Sequence, residues 1–80
     1  MENSKWISVE ERMPTMYVKA SEDGREYLES DYVLVWDGSK FDVAQAISDA
    51  IGLFWEDQYA GIIKALYWMP LPTPPKSKGE

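Results

Sequence analysis

The sequence contains neither cysteine nor histidine, and this double absence constrains the fold of a chain of 80 residues more than any other feature. No disulfide can form, and the usual ligands of structural zinc are missing, so side-chain packing alone must stabilise the fold. Four Trp, five Tyr and two Phe supply the large apolar side chains, each able to bury about 150–250 Å². We expect most of them to form the core of one small domain over residues 1–75, followed by a disordered polar tail over residues 76–80.

The same absence restricts the chemistry. Without histidine or cysteine there is no Ser-His or Cys-His nucleophile pair, and no side chain that titrates near neutrality without help. Carboxylates are the remaining route to catalysis, and the sequence offers the adjacent pairs Glu10-Glu11 and Glu56-Asp57. Neighbouring residues on a strand point to opposite faces, which weakens either pair as a unit. We therefore predict a protein that is not an enzyme and that uses no cofactor or metal.

The charge is strongly negative, with 14 acidic against 8 basic residues and a net charge of −6. Binding to nucleic acid through phosphates depends on Lys and Arg, so we expect no direct nucleic-acid binding. Most of the acid excess lies in residues 20–31, where Glu22, Asp23, Glu26 and Glu29 are candidates for an acidic contact surface. The alternative is that these side chains form a solvated face of a loop or hairpin arm, with a turn at Asp23-Gly24.

The middle of the chain gives the clearest strand pattern. Residues 32–36 are β-branched and aromatic, and Asp37-Gly38 follows them directly as a hairpin turn. Residues 42–51 remain open between strand and helix, because their apolar positions fit both periods. We favour a strand, since a tight turn returns the chain alongside its predecessor.

Two further strands are predicted after Gly52, over residues 53–55 and 62–69. The polar loop between them, residues 56–61, is where we would place a small-ligand site, because aperiodic loops between strong strands often carry function. Asp57 and Tyr59 are the candidate contact residues there. No apolar run approaches the roughly 20 residues needed to cross a membrane, and the start of the chain lacks the features of a secretory signal, so we expect a cytoplasmic protein.

The two ends of the chain carry their own patterns. Ser8 followed by Glu11 is a capping-box pattern, which predicts one helical turn over residues 9–12. Prolines recur in residues 70–75, ending the last strand and favouring polyproline geometry. This segment is either an internal strap across Trp6 or Trp36, or a docking motif for a partner.

The predicted fold class is mainly β, with a small α+β fold as the alternative. It is one antiparallel sheet of three to five strands with a short N-terminal helical turn and a proline-rich C-terminal strap. The sequence leaves open whether this sheet closes on itself.

Four stretches of the sequence together carry a resemblance to a known family: residues 6–14, 33–38, 54–55 and 67–75. They resemble a small-domain family of bacteriophages and prophages, catalogued as the domain of unknown function numbered five hundred and fifty-one. The resemblance covers about residues 6–75, with a longer spacer before the first long strand and with Leu66-Tyr67 where the family usually has Thr-His. It implies a phage or prophage accessory protein in a bacterial cytoplasm, and no particular reaction.

Trp6, Trp36, Trp55 and Trp68 can be interpreted in two ways. They could form an aromatic cage or a stacking platform for bases, as in single-strand binders. We favour packing in or over the core, because an acidic chain lacks the basic groove that accompanies base stacking.

The leading functional hypothesis is a monomer or homodimer that binds a host or phage protein through its acidic segment or an aromatic edge. The alternative is a protein that binds or sequesters a small, nucleotide-like molecule between aromatic side chains and the loop of residues 56–61.

Overall fold

The computed structural model describes residues 5–72, which form a single curled antiparallel sheet. The strands in chain order are β1 (Ile7–Ser8), β2 (Met16–Ala20), β3 (Glu26–Ser30), β4 (Val33–Trp36), β5 (Phe41–Ser48), β6 (Leu53–Asp57), β7 (Ile62–Ile63) and β8 (Tyr67–Pro70). The predicted mainly β class and single antiparallel sheet are confirmed, whereas the predicted count of three to five strands is wrong, since residues 5–72 form eight. The predicted tail over residues 76–80, and residues 73–75 of the predicted proline strap, lie outside the described residues.

The sheet branches around its longest strand, β5. One edge of β5 pairs with β6, which in turn pairs with β7. The other edge pairs with two strands in succession, β4 along residues 41–44 and β3 along residues 47–48. On that side the sheet forks, because β3 continues to β2 while β4 continues to β8 and β1.

The fork lies where one extra residue enters the sheet. Three residues, 30–32, from the end of β3 to the start of β4, lie opposite only two residues of β5, 45 and 46. A single extra residue of this kind interrupts the ladder and increases the local bend and twist, as in a β-bulge.

Side chains replace the ladder bonds at this bulge. The buried hydroxyl of Ser30 accepts a hydrogen bond from the N–H of Ala46 at 2.9 Å and donates one to the carbonyl of Asp31 at 2.8 Å. The side-chain amide of Gln45, also buried, donates to the carbonyl of Ser30 at 3.0 Å. Buried backbone groups are almost always paired, and here a serine and a glutamine provide the partners.

The core lies on one face of the sheet. Small side chains of β5 alternate there with large ones from neighbouring strands, which allows close packing. The buried members of this cluster are Val33, Val35, Ala44, Ala46, Trp55, Ala65 and Trp68. The indole N–H of Trp68 donates to the carbonyl of Arg12 at 2.8 Å, which fastens the N-terminal segment to the core.

The predicted helical turn over residues 9–12 is wrong, since residues 5–72 contain no helix. The chain instead makes one tight turn, in which the N–H groups of Glu11 and Arg12 both donate to the carbonyl of Ser8. The Ser8 hydroxyl accepts from Glu10 at 3.2 Å and not from Glu11, so the capping box does not form. A single helical turn gains too few bonds to persist unless tertiary contacts support it, and the N–H of Val9 is already bonded to Leu66.

Two other segments differ in detail from the sequence prediction. Residues 42–51 adopt the strand alternative as far as Ser48. The single strand predicted over residues 62–69 is divided into β7 and β8, because the chain crosses between them to another edge of the sheet. At that crossing the N–H of Leu66 donates to the carbonyl of Trp36 at 2.9 Å. Nowhere in residues 5–72 is there a helix long and apolar enough to span a membrane.

Candidate functional site

Four aromatic side chains surround an open cleft on the face of the sheet opposite the core. Trp6, Trp36, Phe41 and Tyr67 line a cavity of about 360 Å³, and we call it the aromatic cleft. Strand pairing places Trp36 directly between Phe41 of β5 and Tyr67 of β8. Because side chains alternate along a strand, the residues next to Trp36 and Tyr67, namely Val35 and Trp68, point into the core instead.

The rings of the aromatic cleft contact one another in a defined geometry. Trp6 stacks almost parallel on Phe41, with ring centroids 5.9 Å apart and an interplanar angle of 9°. Trp36 is tilted by 56° against the same ring at 4.9 Å. Phe41 nevertheless remains 61% exposed and Tyr67 remains 43% exposed. A contiguous exposed apolar patch on so small a domain is a feature typical of interaction sites.

The β4–β5 turn, residues 37–40, holds Trp36 and Phe41 together. The N–H of Asp37 donates to the carbonyl of Lys40 at 3.1 Å, and the Asp37 carboxylate accepts from the N–H groups of Ser39 and Lys40, both at 2.8 Å. These hydrogen bonds, first that from the Lys40 N–H, lower the pKa of Asp37 to about 2. The Lys40 ammonium lies 3.3 Å from the same carboxylate, which raises the pKa of Lys40.

Gly38 allows this turn to pack closely against Leu66. Its φ of 106° lies in a region that residues other than glycine rarely adopt. A Cβ at Gly38 would also lie 3.3 Å from Cδ1 of Leu66. The turn and the segment that leads into β8 are therefore packed closely, which fixes Tyr67 beside Trp36.

The tryptophans divide into two pairs. Trp55 and Trp68 are each 6% exposed and belong to the core, as the packing interpretation predicts. Trp6 and Trp36 are half-buried and line the aromatic cleft. Among residues 5–72, the indole N–H of Trp68 has an acceptor in Arg12, whereas no hydrogen bond is formed by the indole N–H of Trp6, Trp36 or Trp55. The aromatic cleft is thus lined by the two tryptophans that lie outside the core cluster.

The loop predicted over residues 56–61 begins later than expected, because β6 continues to Asp57, and its predicted contact residues lie apart from the aromatic cleft. The carboxylate of Asp57 accepts from the N–H groups of Tyr59 at 2.9 Å and Gly61 at 2.8 Å. The N–H of Asp57 donates in turn to the carbonyl of Gly61, and Ala60 at the turn has a φ of 67°. Asp57 therefore builds the loop, while Tyr59 projects from it with 86% of its surface exposed. A ligand contact by either residue stays a prediction.

Asp23 plays the same structural role as Asp57, at the tip of the β2–β3 hairpin. Its carboxylate accepts a hydrogen bond from the Ser21 hydroxyl and one from the N–H of Arg25 at 3.0 Å. These two interactions lower the pKa of Asp23. The Arg25 side chain approaches the other carboxylate oxygen at 3.4 Å, so part of the negative charge at this tip is neutralised within the turn.

The four predicted acidic residues do not share one face. Glu22 lies beside Asp23 at the hairpin tip. Glu26 and Glu29 are three residues apart on β3, and alternation along a strand places them on opposite faces. Within residues 5–72, no three acidic side chains are grouped so that they could hold a metal ion.

Sequence reasoning did not select Phe41 and Tyr67 for the site. The sequence signal for the site was the alternation of side chains along β4. Because Val35 points into the core, its neighbour Trp36 points to the opposite face. Phe41 directly follows the turn after Trp36, so pairing across that turn would have added it. Tyr67 could not be added in this way. It lies beside Trp36 only because β8 pairs with β4, and the two strands are far apart in the sequence.

Fold and site together define a small β protein with a single branched sheet and an aromatic cleft open to solvent. More particularly, the chain belongs to the protein family of unknown function DUF551, whose family model matches residues 5–76. This match confirms the predicted family, the domain of unknown function numbered five hundred and fifty-one, while a phage or prophage origin stays a prediction. Comparison with curated proteins and with solved structures gave no match.

Proposed function

We propose that this chain is a non-enzymatic binding protein whose aromatic cleft accepts an extended, proline-containing segment of another protein. The observation that carries the proposal is the exposed arrangement of Trp6, Trp36, Phe41 and Tyr67 around one open cavity. The resemblance to phage and prophage proteins supports a host or phage protein in the bacterial cytoplasm as the partner.

The chemistry of the aromatic cleft suits polyproline. Proline-rich segments dock into aromatic-lined grooves because their extended helix is already formed in solution, so little conformational entropy is lost on binding. Proline has no backbone N–H, and such a segment presents mainly carbonyl acceptors. The indole N–H groups of Trp6 and Trp36 are donors of the matching kind.

Charge at the two ends of the aromatic cleft favours one orientation of the ligand. Beyond Tyr67 the surface continues into a shallow groove that includes the exposed carboxylate of Glu10. At the other end, Trp6 adjoins Lys5 in a second groove. A proline segment with Lys or Arg next to the Tyr67 end therefore places its cation near Glu10 and away from Lys5, in agreement with the net charge of −6.

The test is a titration with synthetic decapeptides that contain a Pro-x-x-Pro centre and carry Arg at one end, Arg at the other, or Glu at both. We expect the indole N–H NMR signals of Trp6 and Trp36 to shift, and those of Trp55 and Trp68 to remain in place. One of the two Arg-bearing orientations should bind best and the Glu-bearing peptide least. Unchanged Trp6 and Trp36 signals at about 1 mM peptide, where only binding weaker than about −4 kcal/mol would escape detection, would overturn the proposal.

Two tyrosines provide a matched pair of variants. Tyr67 in the aromatic cleft is 43% exposed and Tyr32, outside it, is 42% exposed. We expect Tyr67→Ala to weaken peptide binding at least tenfold, equivalent to about 1.4 kcal/mol, and Tyr32→Ala to leave the affinity unchanged. Equal losses in the two variants would mean that binding does not take place at the aromatic cleft.

The alternative is a nucleotide-like ligand. The stack of Trp6 on Phe41 offers an aromatic face on which a base could lie. The loop 56–61, which we expected to complete such a site, does not line the aromatic cleft. Nucleoside monophosphates in the same NMR titration separate the two candidates, because a nucleotide site at the loop would also shift the signals of Asp57 and Tyr59.

A further inference from the structure

The β2 strand is a long free edge of the sheet. It pairs with β3 on one side, and no strand within residues 5–72 pairs with its other side. The other two end strands, β1 and β7, contain two residues each, whereas β2 contains five. Residues 17–20 of β2 are all exposed, including Val18 at 65%. A long, apolar edge of this kind is a template for pairing with another strand.

The backbone pattern shows which groups of β2 face the free edge. The N–H of Ser21 donates to the carbonyl of Arg25, and in an antiparallel ladder bonded and non-bonded pairs alternate. Lys19 and Tyr17 consequently bond inwards to β3. The N–H and C=O groups of Met16, Val18 and Ala20 point outwards, so every second residue of the edge can bond to a further strand.

We propose that β2 pairs antiparallel with β2 of a second copy of this chain, with Val18 of each copy opposite Val18 of the other. Met16 then lies opposite Ala20 on both sides of the two-fold axis. All outward-facing groups of these three residues are used, giving about six hydrogen bonds between the copies. The two sheets become one continuous sheet, and the contact closes on itself as a symmetric dimer.

The apolar side chains of one face extend this pairing. Register places Val18 beside Leu28, Leu28 beside Ser48, and Ser48 beside Leu53, in one row across four strands. Leu28 is 38% exposed and Leu53 is 55% exposed. The rows of the two copies meet at Val18 on the two-fold axis. Apolar surface around Val18 that is exposed in one chain is therefore covered by the other chain.

The charges on the opposite face are complementary between copies. In this register Lys19 lies opposite Tyr17 of the second copy, and Tyr17 is paired with Glu29 on β3. The ammonium of Lys19 can therefore contact the tyrosine ring and reach toward the carboxylate of Glu29 in the other chain. The contact occurs twice by symmetry, and this attraction offsets part of the repulsion expected between two acidic chains.

The alternative registers are less favourable. Moving the pairing by two residues toward the hairpin tip brings Lys19 opposite Lys19, and directly opposed like charges are destabilising. Moving it the other way centres the contact on Tyr17 and shortens the paired segment. A second copy in the Val18-centred register is therefore the occupant that this edge fits best.

Two exposed edge residues allow a matched test by analytical ultracentrifugation of the full chain. Val18 on β2 and Ile62 on β7 are each 65% exposed. We expect the wild type to dimerise with concentration. Val18→Lys should raise the dimer dissociation constant about 100-fold or more, since two ammonium groups would meet at the axis, while Ile62→Lys should leave it within about twofold. A wild type that stays monomeric at about 1 mM, or equal effects of the two variants, would refute the proposal.

The register is tested by charge exchange and by cross-linking. Lys19→Glu should weaken the dimer, and the double variant Lys19→Glu with Glu29→Lys should restore it. Because the chain has no cysteine, Val18→Cys introduces a single thiol, and opposed Cα atoms about 5.5 Å apart are within disulfide reach. We expect Val18→Cys to cross-link readily and Ile62→Cys to remain monomeric; equal cross-linking of the two would exclude the Val18-centred register. Peptide binding at the aromatic cleft does not enter any of these measurements.

Discussion

Ser30→Ala tests the bulge at which the sheet forks. The variant removes one oxygen atom from a side chain that is 2% exposed. The Ser30 hydroxyl oxygen accepts a hydrogen bond from the N–H of Ala46, and the O–H donates to the carbonyl of Asp31. The alanine side chain is smaller than serine, so no steric clash arises. The change in stability therefore reports on hydrogen bonding within the bulge.

The magnitude follows from the two bonds. A buried donor left without an acceptor costs about 1–3 kcal/mol, and an ordinary hydrogen bond contributes about 0.5–1.5 kcal/mol. Ala46 is fully buried, so water cannot readily replace the lost oxygen at its N–H. We expect Ser30→Ala to lower the free energy of unfolding by about 2–4 kcal/mol. That is a large part of the roughly 4–12 kcal/mol typical of a domain of this length, and it lowers Tm by about 8–30 °C.

The measurement is urea unfolding followed by tryptophan fluorescence, to which the buried Trp55 and Trp68 respond. Ser39→Ala is the matched control, because the Ser39 hydroxyl is exposed and donates only to Asp37 at 3.2 Å. A change within about 0.5 kcal/mol is expected for the control. If Ser30→Ala destabilised the protein no more than Ser39→Ala, the hydroxyl would not be replacing a ladder bond, and the account of the fork would be wrong.

Three further predictions concern the turn beside the aromatic cleft and the N-terminal segment that Trp68 fastens to the core. Asp37→Asn should destabilise the protein at pH 7 and markedly less at pH 2, because the charge of Asp37, whose pKa is lowered from 3.8 to about 2, stabilises the fold fully above 3.8 and loses this effect as the pH falls through about 2. Thermal unfolding at the two pH values measures this, and an equal difference at both would contradict it. Gly38→Ala should cost about 1–3 kcal/mol in urea unfolding, since it imposes a strained φ and crowds Leu66, and an unchanged midpoint would show that the turn relaxes freely. Trp68→Phe should cost about 1–3 kcal/mol by the same assay, because the carbonyl of Arg12 loses its donor; a cost below about 0.5 kcal/mol would mean that this bond does not fasten the N-terminal segment.

The hairpin of β4 and β5 could be predicted from sequence because its signals are local. Residues 33–36 are β-branched and aromatic, and Asp37-Gly38 supplies the turn, so propensity and turn chemistry agree. β2 was missed for the opposite reason. Its residues 17–20 are all exposed, so no alternation of apolar and polar side chains marks it, and it is a strand because β3 lies beside it.

The short turn at Ser8 shows how tertiary contacts override a local motif. The capping-box spacing of Ser8 and Glu11 is present, yet β1 pairs with β8 up to Ser8, and the next N–H is bonded to Leu66. Too few residues remain before the buried Pro14 for a helix to form. The aromatic cleft was likewise only half accessible to sequence reasoning, because two of its rings meet through strand pairing between distant parts of the chain.

The pairing of β1 with β8 has a consequence for the order in which the chain folds. Ile7 lies opposite Trp68, so β1 can pair only after β8, the last strand within residues 5–72, has been synthesised. Until then the strands of the middle of the chain can pair, but the tryptophan that completes the core has not been synthesised. Contacts between such distant residues slow folding because the intervening loop must first be closed. Until β8 has been synthesised and paired, a chain that already contains β1 to β6 therefore exposes the apolar face that Trp68 later covers.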